Sequence, residues 1–147
     1  MDSPADGPPL LPTEPAEQLS TVDGLAQLSF LTLGLLERRA GDHAISIIQT
    51  RLLGVLRDRT PTMNELATLL GLDKSSATGL VDRAERRGLV TRVPSSSDRR
   101  VVLVDLTDAG RALVAEVAAG FEADVATLLE PLSPDFRSAS LAMCGRR

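Results

Sequence analysis

Residues 62–90 read TMNELATLLGLDKSSATGLVDRAERRGLV and carry the signals of two short helices joined by a turn. Thr62 and Glu65 have the spacing of a capping box, in which each side chain accepts a hydrogen bond from the other residue's backbone. Gly71 is a favoured left-handed stop for the first helix. Asp73 is a good N-cap for the second. The sequence therefore predicts a compact helix pair.

The spacing within this pair is typical of a helix-turn-helix unit. Ala67, Gly71, Ala77 and Leu80 lie at positions i, i+4, i+10 and i+13. A tight crossing of two helices needs a small residue where the backbones approach, and a glycine where the turn takes a positive φ. An ordinary helical hairpin is the alternative interpretation, and the segment that follows favours the helix-turn-helix.

After the helix pair, the hydrophobic period changes to two. Residues 89–93 and 100–106 alternate as strands do, and the polar loop 94–99 joins them. Thr107 is then the predicted cap of a long helix, which Pro131 ends. A helix pair followed by a β-hairpin is the layout of a winged helix-turn-helix.

Two helices are predicted before the helix-turn-helix. Apolar residues recur at spacings of three and four over residues 19–39 and again over residues 45–59. Gly41 and Asp42 are expected to break the pattern between them, with His43 as a cap or first residue of the second helix.

The second helix of the pair, from Lys74 to about Arg87, is the predicted recognition helix. Projection at about 100° per residue separates two faces. The predicted core face comprises Ala77, Leu80, Val81, Ala84 and Gly88. The N-terminal half of the outer side is small and polar, with Ser75, Ser76, Thr78 and Gly79.

This outer side has the chemistry of a DNA contact. Hydroxyls exchange hydrogen bonds with base edges and phosphates, and Gly79 lets the helix lie close to the groove floor. Arg83, Arg86 and Arg87, in the C-terminal half, suit phosphate contact. The alternative is a solvated charged face.

The hairpin loop closes with Asp98, Arg99 and Arg100. An arginine at a hairpin tip can enter a narrow A·T-rich minor groove, where the negative potential is strongest. Asp98 can hold a neighbouring guanidinium through a charge-assisted pair. The alternative is a solvated turn in which Asp98 only stabilises the loop.

Three runs together resemble the MarR family of bacterial transcription regulators. They are residues 72–90, the Asp98-Arg99-Arg100 wing, and Leu106-Thr107-Asp108-Ala109-Gly110. The match is strongest over residues 61–110. The resemblance implies a homodimer that reads a near-palindromic operator in double-stranded DNA, and small phenolic or anionic ligands that weaken DNA binding.

The resemblance also implies roles for particular residues and segments. Residues 74–79 would contact bases and phosphates, and Arg100 would be the wing arginine steadied by Asp98. The expected fold is mainly α with a small β-hairpin, a winged helix-turn-helix with N- and C-terminal dimerisation helices. The expected division of the chain is a flexible acidic, proline-rich tail (1–17), N-terminal helices for dimerisation and support (18–59), the winged helix-turn-helix (60–107) and C-terminal dimerisation helices (108–147).

Composition excludes several classes of protein. The apolar runs are too short for a transmembrane helix, and the first residues lack the basic start and apolar core of a signal peptide. The single cysteine, Cys144, allows no internal disulfide, fits a reducing compartment and is expected to be incidental. His43 has no cysteine or second histidine with which to form a zinc site, and common phosphate-loop and serine-hydrolase motifs are absent. We therefore expect a cytoplasmic protein that is not an enzyme and has no cofactor, metal or membrane partner.

The acidic total conceals a basic segment. The chain has 16 Lys and Arg against 20 Asp and Glu, a net charge of −4. Residues 74–100 contain seven basic and three acidic residues, a formal charge of +4, which leaves −8 for the remainder. Phosphate should repel the acidic body, so that only the helix and the wing can dock.

A ligand pocket between the outer helices and the winged domain would be mostly aliphatic. The chain has no Trp or Tyr and three Phe. Arg38, Arg39 and Arg51 are the predicted anchors for a small apolar or anionic effector. Phe30 and Phe121 are expected to pack in the core.

The sequence as a whole predicts a dimeric DNA-binding transcription regulator that acts as a ligand-responsive repressor. The alternative is a winged helix used only for protein–protein contact, an interpretation that the acidic total and the modest polar recognition face leave open.

Overall fold

The computed structural model describes residues 20–130, which form five helices and one two-stranded sheet. The helices are α1 (Thr21–Asp42), α2 (Ile47–Asp58), α3 (Met63–Leu70), α4 (Lys74–Arg86) and α5 (Asp108–Leu129), and the strands are β1 (Val90–Pro94) and β2 (Val102–Leu106). This is the predicted mainly α fold with a small hairpin. The predicted tail (1–17), a short helix expected from Ser133, and Cys144 lie outside the described residues.

Local capping builds the helix-turn-helix as predicted. The Thr62 backbone N–H donates to Glu65 Oε2 at 2.8 Å, and the Glu65 N–H donates to Thr62 Oγ1 at 3.3 Å. Gly71 then takes φ of +68°, a left-handed conformation in which a side chain would be strained. Because this turn is tight, α4 begins only three residues after Gly71 and packs against α3.

The recognition helix packs on the core through the face that periodicity predicted, with one correction. Ala77, Leu80, Val81 and Ala84 are each at most 1% exposed. Gly88 was expected on the same face, but it is exposed with φ of +69°. The chain has already left the helix there, so helical projection no longer applies.

The wing pairs antiparallel, with Val90 opposite Leu106 and Pro94 opposite Val102. β2 begins two residues later than predicted, because the Val101 N–H donates to the Asp98 carbonyl at 2.9 Å and keeps that segment in the turn. At its base the hairpin joins the start of α3, where the Val104 N–H donates to the Pro61 carbonyl at 2.9 Å.

The corner between α1 and α2 differs from the prediction. Gly41 and Asp42 continue α1 instead of breaking it, and His43 caps the end of α1. Ser46 starts α2 in a capping box with Gln49. The Ser46 and Gln49 side chains accept hydrogen bonds from free backbone N–H groups at the start of α2, so this helix needs no cap from His43.

The outer helices α1 and α5 are joined by an ion-paired cluster. Arg39 Nε and Nη2 each donate to Asp124 at 2.7 Å, and Arg38 Nη2 adds a third bond at 3.0 Å. The Arg39 guanidinium, as the largest influence, lowers the pKa of Asp124 to about 2. Gly120 leaves room for Arg39, because a Cβ there would lie 3.0 Å from Arg39 Cδ.

Phe30 was predicted to pack in the core, and this is wrong for the described chain. Its side chain is 70% exposed. Helical periodicity shows that α1 has apolar positions but not which of them another element covers. Phe121 is half-buried in the wall of a cavity described below.

Candidate nucleic-acid interface

The first turn of α4 is organised by Asp73. Its carboxylate accepts from Ser75 Oγ at 2.6 Å, from Ser76 Oγ at 2.6 Å and from the Ser76 backbone N–H at 2.9 Å. The Ser75 hydroxyl, followed by the Ser76 hydroxyl and N–H, holds the pKa of this carboxyl well below its usual range. The ionised carboxylate therefore fixes both serines before any ligand arrives.

This arrangement determines what the hydroxyls can offer to a partner. Ser75 and Ser76 donate their protons to Asp73, and Thr78 Oγ1 donates to the Lys74 carbonyl at 2.8 Å. Their remaining lone pairs can accept hydrogen bonds without any rearrangement. Donation to a phosphate would first require the internal bond to break.

Further along the helix, Arg83 and Arg86 are exposed. Thr78 and Gly79 are half-buried, whereas Lys74, Ser75 and Ser76 are exposed. A Cβ on Gly79 would meet Arg83 Nη1 at 3.4 Å, so the missing side chain lets the Arg83 guanidinium lie along the helix.

The wing loop places two arginines at its end. Asp98 Oδ1 accepts from the Arg100 backbone N–H at 2.9 Å, and it makes no ion pair with any residue of the described range. The expectation that Asp98 holds a guanidinium is thus wrong for this structure. An aspartate in a turn commonly accepts a hydrogen bond from the backbone N–H two residues later, as Asp98 does here. The carboxylate thus stabilises the backbone of Arg100 and leaves the Arg100 side chain exposed.

Two other arginines of this region serve internal contacts. Arg87 was predicted to suit phosphate contact, but its Nη1 donates to the Ala44 carbonyl at 2.8 Å and its Nη2 to the His43 carbonyl at 3.3 Å. Arg92, on β1, forms ion pairs with Asp82 and Glu85 of α4. The Asp82 carboxylate, more than Glu85, raises the pKa of this guanidinium.

What remains is a set of cations on one helix and one loop. We call it the helix-and-wing surface, and its basic members are Lys74, Arg83, Arg86, Arg99 and Arg100. All five side chains are exposed, and none of these side chains forms a hydrogen bond or ion pair within residues 20–130. The sequence identified all five. It also assigned phosphate contact to Arg87, whose partners lie at the corner between α1 and α2.

A separate cavity of about 260 Å³ lies between α1, α2 and α5. It is lined by these three helices alone, not by the winged domain, where one side of the ligand pocket was expected. Its walls are mostly aliphatic, with Phe121 among them, and Arg51 lines it. Arg38 and Arg39 do not line it, because Asp124 holds them between α1 and α5. Arg57, which the sequence reasoning missed, also lines the cavity. The signal for it was available, since Thr50, Gly54 and Arg57 recur on one face of α2.

A capped helix pair, an antiparallel wing and exposed cations on both define a DNA-binding winged helix-turn-helix protein. Comparison with known sequences agrees: a sequence model of the MarR family matches residues 45–101. The HTH-type transcriptional regulator PecS of Dickeya dadantii is 27% identical over 134 residues, covering 88% of this chain and 81% of PecS.

Solved structures share this fold. RV1404 from Mycobacterium tuberculosis is 30% identical with a TM-score of 0.71, and the match covers 82% of this chain and 87% of RV1404. The transcriptional repressor CouR, bound to a 23-mer DNA duplex, is 28% identical with a TM-score of 0.69, covering 85% of this chain and 89% of CouR. The chain belongs to the MarR family and is a transcriptional regulator of that type. None of the helices between residues 20 and 130 has the length and apolar character needed to cross a bilayer.

Proposed function

We propose that this protein is a cytoplasmic, ligand-responsive repressor that binds a pseudo-palindromic operator as a homodimer. The observation that carries the proposal is the helix-and-wing surface, where five cations without internal partners accompany the small polar side of the recognition helix. DNA phosphates need such local positive potential. CouR, with the same fold, is a repressor seen on a DNA duplex.

Each part of this surface has its own role in the proposal. Lys74, Ser75, Ser76, Thr78 and Gly79 face base edges and nearby phosphates in the major groove. Arg83 and Arg86 contact phosphates along its rim. Arg99 and Arg100 enter the adjacent minor groove, with Asp98 holding the loop backbone. Hydroxyl lone pairs match the amino groups of adenine and cytosine, which are hydrogen-bond donors in the major groove.

The homodimer is proposed from α1. Val22, Leu25, Phe30 and Leu33 are 45–75% exposed and lie on one side of that helix, at about 100° per residue. Large apolar residues exposed together mark an interaction surface. A second copy of the chain would cover them. We assign residues 18–59 and 108–147 to dimerisation and residues 60–107 to DNA binding.

The effector site is proposed in the cavity between α1, α2 and α5. Its apolar walls suit a small hydrophobic molecule, and Arg51, which has no partner within residues 20–130, suits an anionic group on it. Because α1 and α5 would also hold the dimer together, a molecule wedged here would change the spacing of the two recognition helices and weaken operator binding.

Arg100→Ala tests the DNA-binding assignment. The probe is a duplex that the unaltered protein selects from a pool of random sequence, hereafter the selected duplex. We expect Arg100→Ala to weaken binding by about tenfold or more, with an unchanged circular dichroism spectrum. Arg38→Ala is the matched control: it removes an exposed arginine from α1, where Arg39 keeps its own two bonds to Asp124. Equal affinities for Arg100→Ala and the unaltered protein would refute the wing assignment.

A further inference from the structure

We propose that Arg92 makes the recognition helix compatible with DNA by masking the negative charges of Asp82 and Glu85. The inference rests on the proposed DNA-binding function. It gives a role in binding to a residue that contacts no DNA itself.

The geometry of this cluster is a fork between two carboxylates. Arg92 lies on β1, and its Nη2 donates to Asp82 Oδ1 at 2.6 Å. Its Nη1 donates to Glu85 Oε2. The planar guanidinium has N–H groups on separate edges, so one cation can serve two acceptors at once. No other basic side chain within residues 20–130 bonds to either carboxylate.

The position of the two carboxylates explains why they need masking. Asp82 and Glu85 are on the same helix as Arg83 and Arg86, and they face the wing strand. Their side chains are 42% and 39% exposed. Without Arg92, two negative charges would stand between the two halves of the helix-and-wing surface and repel the phosphate backbone. With it, the cluster carries a single net negative charge.

The alternative role for the cluster is a mechanical tether between wing and helix. The two roles predict different results when the charges are removed together. If Arg92 only tethers, deleting the whole cluster leaves the wing loose and DNA binding poor. If Arg92 masks the two carboxylates, removing all three charges also removes the repulsion, and DNA binding recovers.

The experiment compares Arg92→Gln with the triple variant Arg92→Gln, Asp82→Asn, Glu85→Gln on the selected duplex. We expect Arg92→Gln to bind about tenfold more weakly than the unaltered protein. We expect the triple variant to recover to within about threefold of it. Thermal unfolding of each variant verifies that it is folded at the temperature of the binding assay.

Arg111→Gln is the matched control. Arg111 donates to Asp105 at 2.9 Å, so this substitution also removes an arginine and uncovers a carboxylate. Asp105 pairs with Thr91 in the hairpin register, and neighbouring residues of a strand point to opposite faces. Asp105 therefore lies on the face of the hairpin away from Arg92, and we expect its uncovering to change affinity by less than about twofold.

Two results would overturn the inference. The first is a triple variant that binds as weakly as Arg92→Gln, which would identify a tether. The second is an Arg92→Gln variant that binds as tightly as the unaltered protein. If the unaltered protein selects no duplex at all, the proposed function itself is contradicted, and the inference is overturned with it.

Discussion

At the start of α4, Asp73 accepts three hydrogen bonds and thereby connects helix formation to the chemistry of the binding surface. The same carboxylate that caps the helix fixes the orientation of Ser75 and Ser76. A preset orientation reduces the side-chain entropy lost when a groove is bound. One residue thus contributes both to stability and to the proposed readout.

Asp73 should also make stability depend on pH. Its serine partners lower its pKa below the ordinary value of 3.8, so the folded chain binds this proton less tightly than the unfolded chain. Its stabilising contribution is therefore complete above that ordinary value and is lost as the pH falls through the lowered one. In urea unfolding, the deficit of Asp73→Asn relative to the unaltered protein should be largest near neutral pH and shrink in acid. A deficit that is constant from about pH 7 to pH 2 would disprove this role.

At the scale of elements, the start of α5 locks the wing to the recognition helix. Thr107 Oγ1 donates to the Gly88 carbonyl at 2.6 Å and accepts from the Gly110 N–H at 3.0 Å, while the Thr107 N–H donates to the Leu89 carbonyl at 3.1 Å. Gly110 is buried against Leu89, where a Cβ would lie 2.0 Å from the carbonyl oxygen. The run from Leu106 to Gly110 therefore packs the start of α5 against the end of the recognition helix.

Gly110→Ala should therefore destabilise the protein severely. The added methyl group meets backbone that cannot rotate away, and we expect a loss of about 3 kcal/mol or more in the free energy of unfolding. Gly34→Ala is the control, because a Cβ there meets nothing within 4 Å. Replacing a helix-interior glycine by alanine should add about 0.5–1 kcal/mol. Urea titrations measure both, and a Gly110→Ala variant as stable as the unaltered protein would contradict this packing.

Across the whole molecule, the sequence predicted what depends on near neighbours in the chain. The cap of Thr62 with Glu65, the left-handed Gly71 and the buried face of α4 all follow from residues within a few positions of one another. The same holds for the cations of the helix-and-wing surface, which one helix and one loop supply.

Contacts between distant segments could not be predicted in this way. Arg39 meets Asp124, and Arg87 meets the corner at Ala44, across 85 and 43 positions of the chain. Periodicity could not show that Phe30 points away from the core, because a helix with apolar residues on two sides gives no sign of which side the chain itself covers. Arg92 likewise meets Asp82 and Glu85 across the turn between α4 and β1, a contact that strand periodicity does not predict.

The distribution of charge over the molecule sets how it can meet DNA. Of the seven basic residues within 74–100, five remain available at the helix-and-wing surface, and Arg87 and Arg92 are held internally. The rest of the chain is acidic. This uneven distribution, which the net charge of −4 conceals, favours one orientation on DNA and disfavours the others.

The salt dependence of binding tests this central claim most directly. Fluorescence anisotropy with the selected duplex would measure the slope of log Kobs against log salt concentration for the unaltered protein and for Arg86→Ala. We predict a steep negative slope for the unaltered protein. The magnitude of the slope should be smaller for Arg86→Ala by about 0.9 for each lost phosphate contact, and so by about 1.8 when both protomers of a dimer lose one. Arg38→Ala should leave the slope unchanged. Identical slopes and affinities for Arg86→Ala and the unaltered protein would contradict the claim that this surface carries the phosphate contacts.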